Sequence, residues 1–144
     1  VRIFLDTNVY IVGQLEQHSP ENRILIWLEQ NSRNPEIQVV ISQELIDQVL
    51  RVGKRLKNKD WAAGIVAKIW HNLNHLFIAE TNEMRQEAAL LCTQQTIPAE
   101  DISIYVGAKF GRTDYFVSAN RQLIKSIADF QCLTAEDFVT RFLP

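Results

Sequence analysis

Apolar positions follow two alternating patterns along the chain: short continuous runs, and stripes at helical spacing. Val1 to Leu5 (VRIFL) is rich in Val, Ile and Phe and stops at Asp6, which predicts a buried strand. From Pro20 to Gln30, Ile24, Leu25, Trp27 and Leu28 fall at helical spacing, and Asn31, Asn34 and Pro35 end the helix. Ile37, Val39, Val40 and Ile41 form a second strand, followed by Ser42 as helix N-cap. Leu45, Ile46, Val49, Leu50 and Val52 then mark an amphipathic helix. Asp60 reads as the next N-cap, ahead of a stripe of Trp61, Ile65, Val66, Ile69, Trp70 and Leu73.

Leu76 to Ala79 predicts a third, weaker strand, and Thr81 caps a helix carrying Met84, Ala88 and Leu91. Pro98 suits the first turn of a helix with Ile102, Tyr105, Val106 and Ala108, stopping at Gly111. Tyr115 to Ser118 is a fourth strand, Asn120 opens a short helix with Leu123, Ile124 and Ile127, and Phe130 to Leu133 is a fifth strand. Thr134 and Asp137 resemble a capping box before a last helix. Strands alternating with helices predict an α/β fold: three α/β/α layers around a mostly parallel central sheet, in a single domain spanning 1–144.

Composition narrows the function. Lys and Arg number 15 against 17 Asp and Glu, a net charge of −2, so bulk positive charge does not drive nucleic-acid binding and only a local basic patch could. Cys92 and Cys132 are too few for a disulfide framework and read as buried thiols of a reducing, cytoplasmic compartment. No apolar run reaches the ~18 residues of a membrane span, and the acid at position 6 argues against a signal peptide.

Ligands of open parallel sheets bind beyond the carboxyl ends of the strands. The polar residues there are Asp6, Thr7 and Asn8 after the first strand, Ser42, Gln43 and Glu44 after the second, and Ser118 and Asn120 after the fourth. Asp101 lies in the first turn of a helix. Carboxylates and amides gathered at one sheet edge suit an oxygen-preferring cation such as Mg²⁺. Each position also has an ordinary structural use: Asp6 and Asn120 as N-caps, Asp101 as a helix-dipole partner, Glu44 and Asp47 as solvated helix residues.

In their order, these segments resemble the PIN-domain family of toxin-type and RNA-processing ribonucleases. IFLDTNVYI resembles its opening strand and first Asp. VVISQELIDQVLRV resembles its second strand and Glu-bearing helix. IPAEDISIYVGAKFGRTDYFVSANRQLI resembles its third-acid helix, next strand and last acidic turn. The resemblance implies a four-acid site for one or two divalent ions, Mg²⁺ or Mn²⁺, that activates water against a phosphodiester. Carried over by position, Asp6 and Asp101 are metal ligands, and Asn8 and Ser118 are supporting residues. The two other acid positions depart and read Gln48 and Asn120, so the quartet carries −2 where the pattern carries −4. Glu44, one helical turn before Gln48, is the candidate to restore a carboxylate. Asp47 is about 100° away round the helix and Asp114 is at the opposite strand end.

Arg51, Lys54, Arg55, Lys57 and Lys59 form a basic run at and beyond the end of the second-motif helix. They read either as a solvated helix terminus or as phosphate contacts for RNA, with Arg112, Arg121 and Lys125 flanking from the other side. Trp61 and Trp70 read as core or interface, and a homodimer through their stripe is an expectation. His71 and His75 lack a third ligand for Zn²⁺. Three readings follow: a metal-dependent ribonuclease, as the toxin of a toxin–antitoxin pair; a catalytically impaired PIN-fold module that binds RNA or a protein partner; and a flavodoxin-like receiver, which lacks the expected Lys after Ser118.

Overall fold

The computed structural model describes residues 1–144. Strands β1 (Arg2–Leu5), β2 (Gln38–Ser42), β3 (His75–Ile78), β4 (Tyr115–Val117) and β5 (Gln131–Leu133) form one sheet in the order β3-β2-β1-β4-β5. Every neighbouring pair is parallel, with Ile3 opposite both Val39 and Tyr115. The helices are α1 (Thr7–Leu15), α2 (Pro20–Gln30), α3 (Gln43–Leu56), α4 (Lys59–Asn72), α5 (Asn82–Gln94), α6 (Ile102–Phe110), α7 (Arg121–Ser126) and α8 (Ala135–Phe142).

Helices α1 to α4 pack against one another on one face of the sheet and α5 against α6 on the other, the arrangement that right-handed crossovers between parallel strands require; α8 returns to pack on α2. This is the three-layer α/β/α arrangement expected from the alternation of runs and stripes. β1 to β3 advance to one side and β4 and β5 to the other, so the chain reverses direction between β1 and β4. Such a switch point opens a crevice at the strands' carboxyl ends. Asp6 follows β1 there and Ser118 follows β4.

Short polar side chains start most helices. Ser19, Ser42, Asn58, Thr81, Asn120 and Thr134 each accept a backbone N–H three residues on, and Asp6 accepts from Thr7. The N-cap of α4 is therefore Asn58, not Asp60: Asn58 Oδ1 takes the Trp61 N–H at 2.8 Å, while Asp60 is already inside the first turn. Pro98 precedes a 3₁₀ turn at Ala99–Asp101 that leads into α6.

The helix α1 has no counterpart in the sequence pattern. Thr7, Val9, Tyr10, Ile11 and Gly13 are all buried, so its apolar positions make no single stripe. The thiols also differ from expectation: Cys92 is exposed and Cys132 half-buried. Leu91 takes the inward position on α5, which turns Cys92 outward. Trp61 packs on the core, whereas Trp70 stays partly exposed beside Phe77 of the edge strand β3, ring centroids 5.6 Å apart. Asp114 serves the amino end of the sheet, where its Oδ2 accepts the Arg2 N–H at 2.7 Å. No helix is long and apolar enough to cross a membrane.

Candidate functional site

The crevice at the switch point is a cleft of about 370 Å³ lined by Asp6, Thr7, Asn8, Gln48, Asp101 and Asn120, with an apolar wall of Ile11, Val52 and Leu56. Separate elements deliver these residues. Asp6 follows β1, and its own N–H donates to Val117 O at 2.9 Å, which holds it beside the end of β4. Gln48 and Val52 lie one turn apart on α3. Asp101 ends the 3₁₀ turn before α6, and Asn120 caps α7. Asp6, Asn8, Gln48, Asp101 and Asn120 therefore line one cleft.

A hydrogen-bond chain ties the set together. Asp6 Oδ1 accepts from the Thr7 N–H at 2.8 Å, and its Oδ2 accepts from Ser118 Oγ at 2.7 Å. Ser118 is fully buried, and its Oγ also accepts the Asn120 N–H at 3.0 Å. Asn120 Nδ2 donates to Asp101 Oδ2 at 3.2 Å, so one continuous path joins the two carboxylates. On the other side Thr7 Oγ1 donates to Gln48 Oε1 at 2.8 Å, and Gln48 Nε2 donates to Glu44 Oε1 at 3.2 Å. The role of the Thr7 hydroxyl had no signal in the sequence beyond its place next to Asp6.

Glu44 does not line the cleft. It sits in a neighbouring pocket of about 90 Å³ with Ser42, Asp47 and Glu80, and reaches the cleft only through Gln48. Its other neighbour is Arg51, at 3.8 Å on the surface. Arg51, Lys54 and Lys59 border a groove between α3 and α4, and Arg55 and Arg121 are exposed.

Electrostatics set the two carboxylates apart from the other acids. Burial raises Asp6 above the ordinary carboxylate value, opposed by its bonds from Ser118 and Thr7. Asp101 is raised by burial, then by the neighbouring Asp6 charge and by Glu100, while Asn120 acts the other way. Neither carboxylate enters an ion pair with a basic side chain. Both are held half-buried, close together and facing neutral donors only.

A divalent cation fits this donor set in chemistry, though not in charge density. Nowhere do three His, Cys, Asp or Glu side chains converge, so the cleft offers two carboxylates plus neutral oxygens. One of those is unspent: Asn8 Oδ1 is buried without a hydrogen-bond partner. An orphaned buried acceptor costs ~1–3 kcal/mol, a deficit that a cation or a ligand donor removes. Hard oxygen ligands of this kind select Mg²⁺ or Mn²⁺ over softer metals.

No family model and no curated protein sequence matches the chain. Solved structures do. VapBC2 from Rickettsia felis, bound to a DNA fragment from its promoter, has a chain that superposes with a TM-score of 0.68 at 16% identity, covering 93% of this chain and 98% of that one. VapBC-1 from nontypeable Haemophilus influenzae gives 0.66 at 16% identity, over 94% and 99% of the two chains. DNA-bound VapBC from Salmonella typhimurium gives 0.61, again at 16% identity, over 94% and 98%. The five-stranded parallel sheet with helices on both faces, matched over most of the chain by these structures, is the PIN-like fold that the sequence motifs resemble.

Proposed function

We propose that the chain is a divalent-cation-dependent ribonuclease that acts as the toxin of a toxin–antitoxin pair. The observation that carries this reading is the meeting of Asp6 and Asp101, unpaired by any basic side chain, in one cleft at the switch point of the sheet. The likeness to VapBC structures adds support for a protein partner, an antitoxin whose binding would hold the cleft inactive.

Asp6 and Asp101 would hold Mg²⁺ or Mn²⁺ between them, with the Gln48 oxygen as a neutral third donor. The bound cation supplies a Lewis acid that makes a water nucleophilic at neutral pH toward a phosphodiester. The protein's own residues do the positioning. Ser118 and Thr7 fix the Asp6 carboxylate in one orientation, and Asn120 fixes that of Asp101. Ile11, Val52 and Leu56 give the cleft an apolar wall on which a base or ribose can rest. Arg51, Lys54 and Arg55 on α3 and Arg121 at the start of α7 carry the positive charge that meets RNA phosphates.

RNA cleavage measured with Mn²⁺ tests the reading. Asp101→Asn should lower the rate by about 10²–10³-fold, the scale of losing one preorganised electrostatic contact to the transition state. Metal-dependent cleavage that Asp101→Asn leaves unchanged would remove the cleft from the reaction.

The alternative, an impaired module that keeps RNA or partner binding, draws on one observation: both remaining quartet positions are amides and no third carboxylate enters the cleft. It predicts no metal-dependent cleavage by the wild type, and cleavage gained by Gln48→Glu combined with Asn120→Asp.

A further inference from the structure

The two edges of the sheet are finished differently. β5 is three residues long and a charged side chain lies against it: Arg141 Nη1 donates to Gln131 Oε1 at 2.8 Å, with its guanidinium 5.2 Å from the Tyr115 ring centre. Short length and charge both guard an edge against a further strand. β3 lacks the charge: residues 71–79 contain no Asp, Glu, Lys, Arg or Pro. No residue of β3 is buried, and Trp70 and Phe77 are each 37% exposed.

The ladder shows which groups of β3 are free. Asn74 O accepts the Val39 N–H at 2.8 Å. Parallel pairing then turns Leu76 and Ile78 toward β2 and sends the N–H and C=O of His75 and Phe77 outward, where β3 has no neighbour. We propose that this edge pairs antiparallel with the same edge of a second copy, joining the two sheets into one about a twofold axis. One register satisfies every outward group: His75 opposite Phe77 of the second copy, and Leu76 opposite its own counterpart on the axis. His75 and Phe77 lie with Trp70, ring centroids 4.6 and 5.6 Å from it, so aromatic pairs across the axis extend one cluster over both copies. Charge agrees. The neutral segment sets no like charges against each other, and Glu80, the first acid beyond it, falls opposite Asn72 and beside His71 of the second copy. Trp61 packs on the core, so the contact is the strand edge and not the whole α4 stripe. The proposal is independent of the metal-dependent reading.

Sedimentation velocity over a concentration series tests it, with two variants that act on the outward side alone. His75→Pro deletes an N–H that β2 does not use, at the first position of the strand, where Pro is tolerated. Phe77→Lys places a charge on the edge. Circular dichroism verifies that each folds, and either one decides if the other does not. The expected result is twice the chain mass for wild type and the chain mass for both variants. The register has its own readout, which needs neither variant. In a Cys92→Ser background, Leu76→Cys meets itself across the axis at about 4.5 Å between Cα atoms, within disulfide reach, and should oxidise to a linked dimer. Ile78→Cys, opposite Asn74, should not. A wild type that stays at the chain mass throughout the series, or a dimer that both variants keep, overturns the proposal. A dimer in which Leu76→Cys does not link overturns the twofold strand pairing.

Discussion

Ser118 does more for the cleft than its size implies. Fully buried, its hydroxyl donates to Asp6 at 2.7 Å and accepts the Asn120 N–H at 3.0 Å, so one oxygen holds the ends of β1 and β4 in register with the start of α7. Ser118→Ala strands a half-buried carboxylate oxygen and a backbone N–H together. It should cost ~1–3 kcal/mol in urea unfolding, more than the usual surface change. A loss below about 0.5 kcal/mol would mean that water replaces the hydroxyl without penalty. The thiols separate on equally local grounds. Cys92 is exposed, whereas burial pushes the Cys132 thiol up to about 11. At pH 8 only about one Cys132 in 10³ is thiolate, so iodoacetamide should modify Cys92 first and Cys132 very slowly. The sign for stability follows: Cys132 contributes nothing that varies below its unfolded value, and stability falls as pH rises from that value toward 11. Equal labelling of both thiols in the folded protein would contradict this.

At the scale of elements, close approach decides where Asp101 sits. A Cβ on Gly107 would lie 2.8 Å from Ser42 Cβ and 3.0 Å from its Oγ, so α6 packs against the end of β2 only because position 107 has no side chain. Gly107→Ala gains up to ~1 kcal/mol of helix propensity but overpacks a buried contact at ~1–3 kcal/mol, and the second effect wins. The melting temperature should fall by about 3–6 °C. Gly64, on the exposed side of α4 with nothing within 4 Å, is the control: Gly64→Ala should gain ~0.5–1 kcal/mol. Opposite signs for the two glycines are the expected outcome; the same sign for both would refute the packing argument. The elements themselves were mostly legible, because runs such as Val39 to Ile41 and stripes such as Leu45, Ile46 and Val49 each face one environment. The α1 helix was not legible, since Thr7 to Gly13 is buried nearly all round and rich in β-branched residues. Asn58 and Asp60 are both good caps, and only the contact to Trp61 N–H decides between them. In the cleft, Asp6 and Asp101 were picked out through the resemblance of their segments to the PIN family; their places after a strand and at a helix start alone suited an N-cap and a helix-dipole partner equally well. The direction of the Gln48 and Asn120 amides was not legible, because Glu44 and the Leu123 N–H set it in space.

For the whole molecule, the carboxyl end of the sheet is where stability is given up. Asp6 and Asp101 are half-buried, like-charged and close, and none of the surface ion pairs reaches them. Burial of unpaired charge opposes folding, and a site built to hold a ligand commonly carries such a cost when empty. Asp101→Asn removes one charge yet keeps an oxygen for the Asn120 Nδ2 bond. In buffer with chelator it should therefore melt higher than wild type, by about 3 °C for each kcal/mol relieved. With Mn²⁺ the order should reverse. Wild type gains RT ln(1 + [Mn²⁺]/Kd), about 2.7 kcal/mol at a hundredfold excess over Kd, while Asp101→Asn gains little. The two conditions separate two causes of a failed prediction. If Asp101→Asn melts lower even in chelator, the carboxylate is part of the framework and not a held charge. If it melts higher in chelator but Mn²⁺ moves neither protein, the charge is real and its counterpart is something other than a divalent cation, of which a basic side chain of a protein partner is the nearest chemical equivalent.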